Sequence, residues 1–121
     1  MSQKVEKFED LNIWKESMGL VVRLYNELKD CRDFGLRDQM QRAAVSVPSN
    51  IAEGFERKTN KDFIRFLYIA KASSAELRTQ LYLCKKLGLI EKNESDLLID
   101  KTRKISSMTH NLIKTRSESF S

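Results

Sequence analysis

Few residues in this chain could do chemistry. His110 is its one histidine, and Cys31 and Cys84 are its two cysteines. A di-iron site in a helical bundle needs inward glutamates with Glu-x-x-His on two helices. His110 has Ser107, not Glu, three positions before it, which excludes that site. A Ser or Cys nucleophile wants a positioned base, and His110 falls near the end of a surface-rich helical segment, where a solvated or capping role fits better. The cysteines form no CxxC pair and have no His nearby, so each reads as a small buried hydrophobe. Gly-rich phosphate loops are absent. A non-enzymatic protein is expected, with no cofactor and no metal.

Two further groups could bind something. Ser46, Ser49, Asn50, Glu53 and Arg57 surround Pro48 and Gly54 and could line a polar pocket. Equally, the short polar side chains could satisfy backbone groups that Pro48 leaves free, which makes the cluster structural. The second group is basic. Residues 1–60 balance ten Lys and Arg against ten Asp and Glu, whereas 61–121 carry twelve against seven, so the net charge of +5 lies in the second half. Lys101, Arg103, Lys104, Lys114 and Arg116 fall in a stretch, 101–116, without an acidic residue. Any attraction for an anionic polymer should map there. Lys61, Arg65, Tyr68, Lys71, Arg78, Tyr82 and Lys86 share one broad helical sector, mixing cations with rings that can meet phosphates and stack on bases. Solvated cations with snorkelling tyrosines are the plainer explanation of that sector. The candidate nucleic-acid contacts are Lys71, Arg78, Lys85, Lys86, Lys101, Arg103, Lys104, Lys114 and Arg116. Periodicity cannot put all nine on one face.

Helices must position these residues. One Pro and four Gly leave little punctuation for a β fold, and 40% hydrophobic with 32% charged residues is a globular composition. A chain of 121 residues can bury a core without metal or disulfide help, as one domain over 1–121. No apolar run approaches the ~20 residues that span a bilayer, and the polar start MSQKVEKFED has no apolar h-region. A cytoplasmic protein without membrane contact is expected.

The spacing predicts helices over about 12–31, 36–57, 60–88 and 94–115. In the first, Leu11, Trp14, Met18, Val21, Tyr25 and Leu28 make a core face, with Asn12 as N-cap. Ile13, Leu20, Leu24 and Cys31 form a second stripe about 110° round the helix, which either widens the core or contacts another chain. Asp33, Phe34 and Gly35 make the next turn. The second helix carries Leu36, Met40, Ala43, Ala44, Val47, Ile51 and Phe55, with a kink or break at Pro48. Thr59, with Asp62 three residues on, starts the third helix, where Phe63, Leu67, Ala70, Ser74, Leu77, Leu81, Cys84 and Gly88 keep a long 3-4 repeat. Small residues at 70–75 let a neighbour approach closely, and Phe66, Ile69, Leu83 and Leu87 add a second apolar stripe. Two helices with two apolar sides favour self-association. Asn93 with Asp96 caps the fourth helix, whose core face is Leu97, Leu98, Ile105, Met108, Leu112 and Ile113. The SESFS tail should fray.

Phe8, Leu11 and Trp14; Phe34, Gly35 and Leu36; and above all RAAVSVPSNIAEGFERK (Arg42 to Lys58), followed by FIRFLYIA (Phe63 to Ala70) and AEL (Ala75 to Leu77), carry a resemblance. The chain resembles the four-helix-bundle proteins encoded in intervening sequences of bacterial 23S ribosomal RNA genes. That family is itself similar to the accessory variability protein of diversity-generating retroelements. The match covers about residues 6 to 90. It implies an all-α, antiparallel up-down-up-down bundle, a ring-like homopentamer and, for the retroelement relatives, a basic surface that binds nucleic acid and a reverse transcriptase. Ala72 stands where the family often has Gly, and Arg78 where it often has an acidic residue, which makes this chain locally more basic. Ser46, Pro48, Ser49, Asn50, Glu53 and Gly54 recur in members without stated catalysis, so the resemblance favours their structural reading.

Two functions are left. One is an oligomeric scaffold whose basic third and fourth helices hold nucleic acid, RNA foremost, by backbone contacts, in association with 23S rRNA intervening sequences or a retroelement. The other is a scaffold that docks a partner protein without nucleic acid.

Overall fold

Four helices make up the fold of residues 5–119, which this computed structural model describes: α1 (Asn12–Leu28), α2 (Phe34–Phe55), α3 (Asn60–Leu87) and α4 (Lys92–Ser119), after a 3-10 turn at Phe8–Asp10. Among those residues no strand occurs. Each helix packs on its chain neighbours, and α1 closes against α4. Contacts rise along one helix as they fall along the next. Met40, Ser46 and Gly54 of α2 meet Cys84, Ser73 and Phe66 of α3. Asn60, Ser74 and Lys85 of α3 meet Arg116, Thr102 and Asp96 of α4.

The core is lined by Leu20, Leu24, Leu28, Met40, Val47, Ile51, Leu67, Leu77, Leu81, Leu98 and Ile105, all fully buried. Both cysteines are buried and free. Burial pushes the Cys84 thiol up to about 11, and the nearby Cys31 and Asp33 act in the same direction.

Helix α1 bears out its expected core face only at the two ends, and its second stripe takes the widening role. Ile13, Leu20 and Leu24 face the core, with Cys31 buried just beyond the helix; of the other stripe Leu11 and Leu28 are buried, Met18 and Tyr25 are exposed, and Trp14 and Val21 are half-buried. The reason is Ser17. It is fully buried, fills the gap between Ile13 and Leu20, and returns its hydroxyl to the Trp14 carbonyl at 2.9 Å. A stripe completed by a self-satisfied serine is invisible to a count of apolar residues. Asn12 is the first helical residue, and Leu11 occupies the cap position without a side-chain bond.

The other boundaries shift for similar reasons. Asp33, placed in a turn by its sequence, caps α2 by accepting from the Leu36 N–H at 3.1 Å, so the helix begins at Phe34. It runs through Pro48 to Phe55. Thr59 caps α3 as expected, accepting from the Asp62 N–H at 3.1 Å. Gly88 ends α3 rather than extending its stripe: at φ 71° it takes the left-handed conformation that suits glycine.

In α4 the expected cap is replaced. Glu91 accepts from the N–H groups of Asn93 and Glu94, both at 3.1 Å, and the helix starts at Lys92. Its core face is Leu98, Ile99, Ile105 and Ile113 with Ser95, Thr102 and Thr109, while Leu97 is exposed and Met108 and Leu112 are half-buried. Thr102 and Thr109 donate to the Ile99 and Ile105 carbonyls at 2.6 and 2.7 Å, which lets two hydroxyls enter an apolar core. The helix reaches Ser119, beyond the frayed end foreseen at Thr115; the last two residues of SESFS, like residues 1–4 of the polar start, lie outside the described residues.

Candidate nucleic-acid interface

Basic side chains collect along the outer seam between α3 and α4. Helix α3 supplies Lys71, Arg78 and Lys85 at seven-residue intervals, which returns each to nearly the same side of the helix. Opposite them, α4 contributes Lys92, Arg103, His110 and Lys114. Cross-seam contacts place the rungs: Lys85 Nζ lies 2.6 Å from Asp96 Oδ1, Arg103 Nη2 donates to Tyr82 Oη at 2.6 Å, and Lys71 Nζ is 3.4 Å from His110 Nδ1. From Lys71 to Lys86 the seam rises about 22 Å.

Acidic partners neutralise some of these cations and not others. Lys85 pairs with Asp96, and Arg103 with Asp100 at 3.4 Å. Within the described residues no ion pair involves Lys71, Arg78, Lys86, Lys92 or Lys114. A polyanion laid along the seam would therefore find charges that are not already matched.

The remaining candidates lie elsewhere. Lys104 turns to α1 and pairs with Glu16 at 3.0 Å. Lys101 lines a groove with Lys15, Glu16, Met18, Gly19, Val22, Arg23 and Asn26, also on the α1 side. There Arg23 bonds both carboxylate oxygens of Glu94; this bond holds the Glu94 carboxyl below its usual range and raises the Arg23 guanidinium. Arg116 sits at the far end with its guanidinium 5.0 Å over the Phe63 ring, and its carbonyl accepts from Asn60 Nδ2 at 2.9 Å. Of the aromatic sector on α3, Arg65 is drawn to Asp62 and the Phe66 ring, whereas Tyr68 is exposed. Sequence reasoning missed Lys92, which it left in a turn, and His110, which it left solvated. A Lys-rich pair flanking the α3–α4 turn, Lys86 and Lys92, was the available signal.

The polar cluster around Pro48 is used internally. Asn50 Nδ2 donates to both the carbonyl and the hydroxyl of Ser46 at 2.8 Å, and Ser46 Oγ bridges to Ser73 Oγ of α3 at 2.8 Å. Glu53 and Arg57 pair on the surface at 3.4 Å, and Ser49 is exposed. Nothing in this cluster positions a nucleophile against a base. Among the described residues no group of three or more His, Cys, Asp or Glu could hold a metal, and no helix is long and apolar enough to cross a membrane.

Comparison with known proteins gives the same architecture a lineage. A crystal structure at 1.70 Å of a protein of unknown function from the S23 ribosomal protein family of Bacteroides thetaiotaomicron VPI-5482 superposes with a TM-score of 0.80 at 23% identity, covering 84% of this chain and 98% of that one. At that identity the likeness speaks for the fold alone. No curated protein matches significantly. A family model, however, matches residues 9–111, nearly all of the four helices. The chain belongs to the family of 23S rRNA-intervening sequence proteins.

Proposed function

We propose that this protein is a non-enzymatic, oligomeric scaffold that holds nucleic acid, RNA foremost, along the basic seam between α3 and α4. The observation that carries the reading is the run of cations without acidic partners, Lys71, Arg78, Lys86, Lys92 and Lys114, on the two helices that also hold the chain's excess charge. Such a surface gains affinity by releasing counterions from the phosphate backbone and reads little sequence. Exposed apolar residues support the oligomer: Met18 and Val22 on α1, at 39% and 67% exposure, and Leu83 and Leu87 on α3, at 45% and 61%. These two sets lie on different helices, as repeated head-to-tail association requires. The family name adds a setting, 23S rRNA genes with intervening sequences, in which an RNA ligand is at hand.

A gel shift of RNA carrying such an intervening sequence tests the reading. Binding at low salt that weakens steadily as salt rises is expected. The absence of any shift at low salt, with a partner protein retained in pull-downs from nuclease-treated lysate, would overturn it in favour of protein docking.

A further inference from the structure

At the end of the bundle where α3 gives way to α4, the seam opens into a cleft of about 430 Å³ lined by Tyr82, Lys85, Lys86 and Lys92. That volume falls within the range of small-ligand sites. Its components are not equivalent. Lys85 is held by Asp96, so it brings a cation whose charge is already matched. Lys86 and Lys92 are exposed and take part in no ion pair within the described residues. Glu91 is next to Lys92 in the chain, but its carboxylate oxygens are bound by the Asn93 and Glu94 N–H groups. The same capping occupies the first amides of α4, so the helix start offers no anion site and the lysines must supply one.

Tyr82 is the remaining wall. Its hydroxyl accepts from Arg103 Nη2 at 2.6 Å, and Arg103 is itself steadied by Asp100 through Nη1 at 3.4 Å. The hydrogen bond restrains the ring at its polar tip, and Tyr82 as a whole is 38% exposed. A ring held in place gives up little freedom when a flat partner covers it. Two ammonium groups without acidic partners beside a restrained, partly exposed aromatic ring match the two parts of a nucleotide, phosphate and base.

We propose that this cleft takes one unpaired nucleotide of a single-stranded chain, with its base stacked on Tyr82 and its phosphate on Lys86 and Lys92. The inference rests on the reading of the seam as a nucleic-acid surface and adds a ligand class to it. A base in a duplex has both faces covered by its neighbours, so Tyr82 discriminates in favour of single strands, whereas the lysines along the seam do not. Stacking involves the base and leaves the sugar untouched, so RNA and DNA single strands should depend on Tyr82 alike.

Fluorescence anisotropy with a labelled single-stranded RNA, its duplex and the single-stranded DNA of the same sequence tests this on wild type, Y82A and Y82F. Y82A should weaken both single strands about tenfold and the duplex less than about twofold, and Y82F, which keeps the ring, should stay within about threefold of wild type on all three. Equal losses on duplex and single strand, or a loss confined to RNA, would overturn the stacking account. Wild-type binding to all three with no effect of Y82A would also overturn it, while leaving the seam as a nucleic-acid surface. Failure of wild type to bind any of them would remove both.

Discussion

Gly54 and Phe66 meet with no room for another atom: a Cβ built on Gly54 would lie 2.5 Å from Phe66 Cβ and 3.1 Å from the Phe63 ring. The end of α2 can therefore lie against the start of α3 only because residue 54 has no side chain. Phe63 and Phe55 stack edge to face at the same place, 5.7 Å between centroids. Phe66 Cβ is held by its direct bond to the α3 backbone, and the packed Phe63 ring has no free side to swing into. Alanine would favour an isolated helix by about 1 kcal/mol over glycine. Here the overpacking wins, and G54A should destabilise the protein by about 1–3 kcal/mol in urea unfolding. An unchanged midpoint would show that α2 and α3 can slide apart at no cost.

The Ser46–Ser73 bridge makes a second prediction about the same helix pair. Two hydroxyls 2.8 Å apart, with Asn50 donating to Ser46, join α2 to α3 close to Pro48. S46A and S73A should each cost about 1 kcal/mol, and the double variant should cost less than their sum by about 0.5–1.5 kcal/mol. Strict additivity would mean that the two hydroxyls stand close without bonding.

Cys84 sets a limit at alkaline pH. Its thiol is raised to about 11 in the folded state from an ordinary value of 9.0, chiefly by burial. A raised pKa leaves stability intact below the unfolded value and removes it as pH climbs toward the folded one. Stability should therefore fall between about pH 9 and 11, and C84A should flatten that part of the profile in denaturant titrations. Cys84 should also resist alkylation at pH 8 until the chain unfolds. Rapid labelling of native protein would contradict the burial.

Self-association rests on the exposed apolar flanks. Sedimentation at micromolar concentration should give particles heavier than one 14.1 kDa chain. M18E/V22E should shift them toward the monomer while circular dichroism stays helical, since both residues project outward. A wild-type monomer would dismiss the oligomer.

How much of this was legible in the sequence depends on where polar residues went. The third helix was nearly fully readable, because Phe63, Leu67, Ala70, Ser74, Leu77, Leu81 and Cys84, apolar but for one small serine, are spaced by three and four and buried. Helices α1 and α4 were misread at the places where Ser17, Thr102 and Thr109 enter the core and bond to their own helix backbone. Apolar periodicity has no symbol for a hydroxyl that satisfies itself. The seam was half legible. One helical sector put Lys71, Arg78 and Lys86 together on α3 and left out Lys85, and no spacing within one helix could say that α4 turns Lys104 toward Glu16 and Arg103 toward Tyr82. Which side of α4 meets α3 is decided by packing between helices, and charge count carries none of it.

The seam itself is tested most directly by the salt dependence of RNA binding in two charge-reversal variants, K71E/K86E/K114E on the seam and K101E/K104E on the α1 side. Each phosphate neutralised contributes about −0.7 to the slope of log K against log salt for a single strand. The seam variant should lose about 2 from the magnitude of the wild-type slope, together with most of the low-salt affinity, while the α1-side variant keeps the wild-type slope. Equal losses in both variants, or an unchanged slope in the first, would contradict the account.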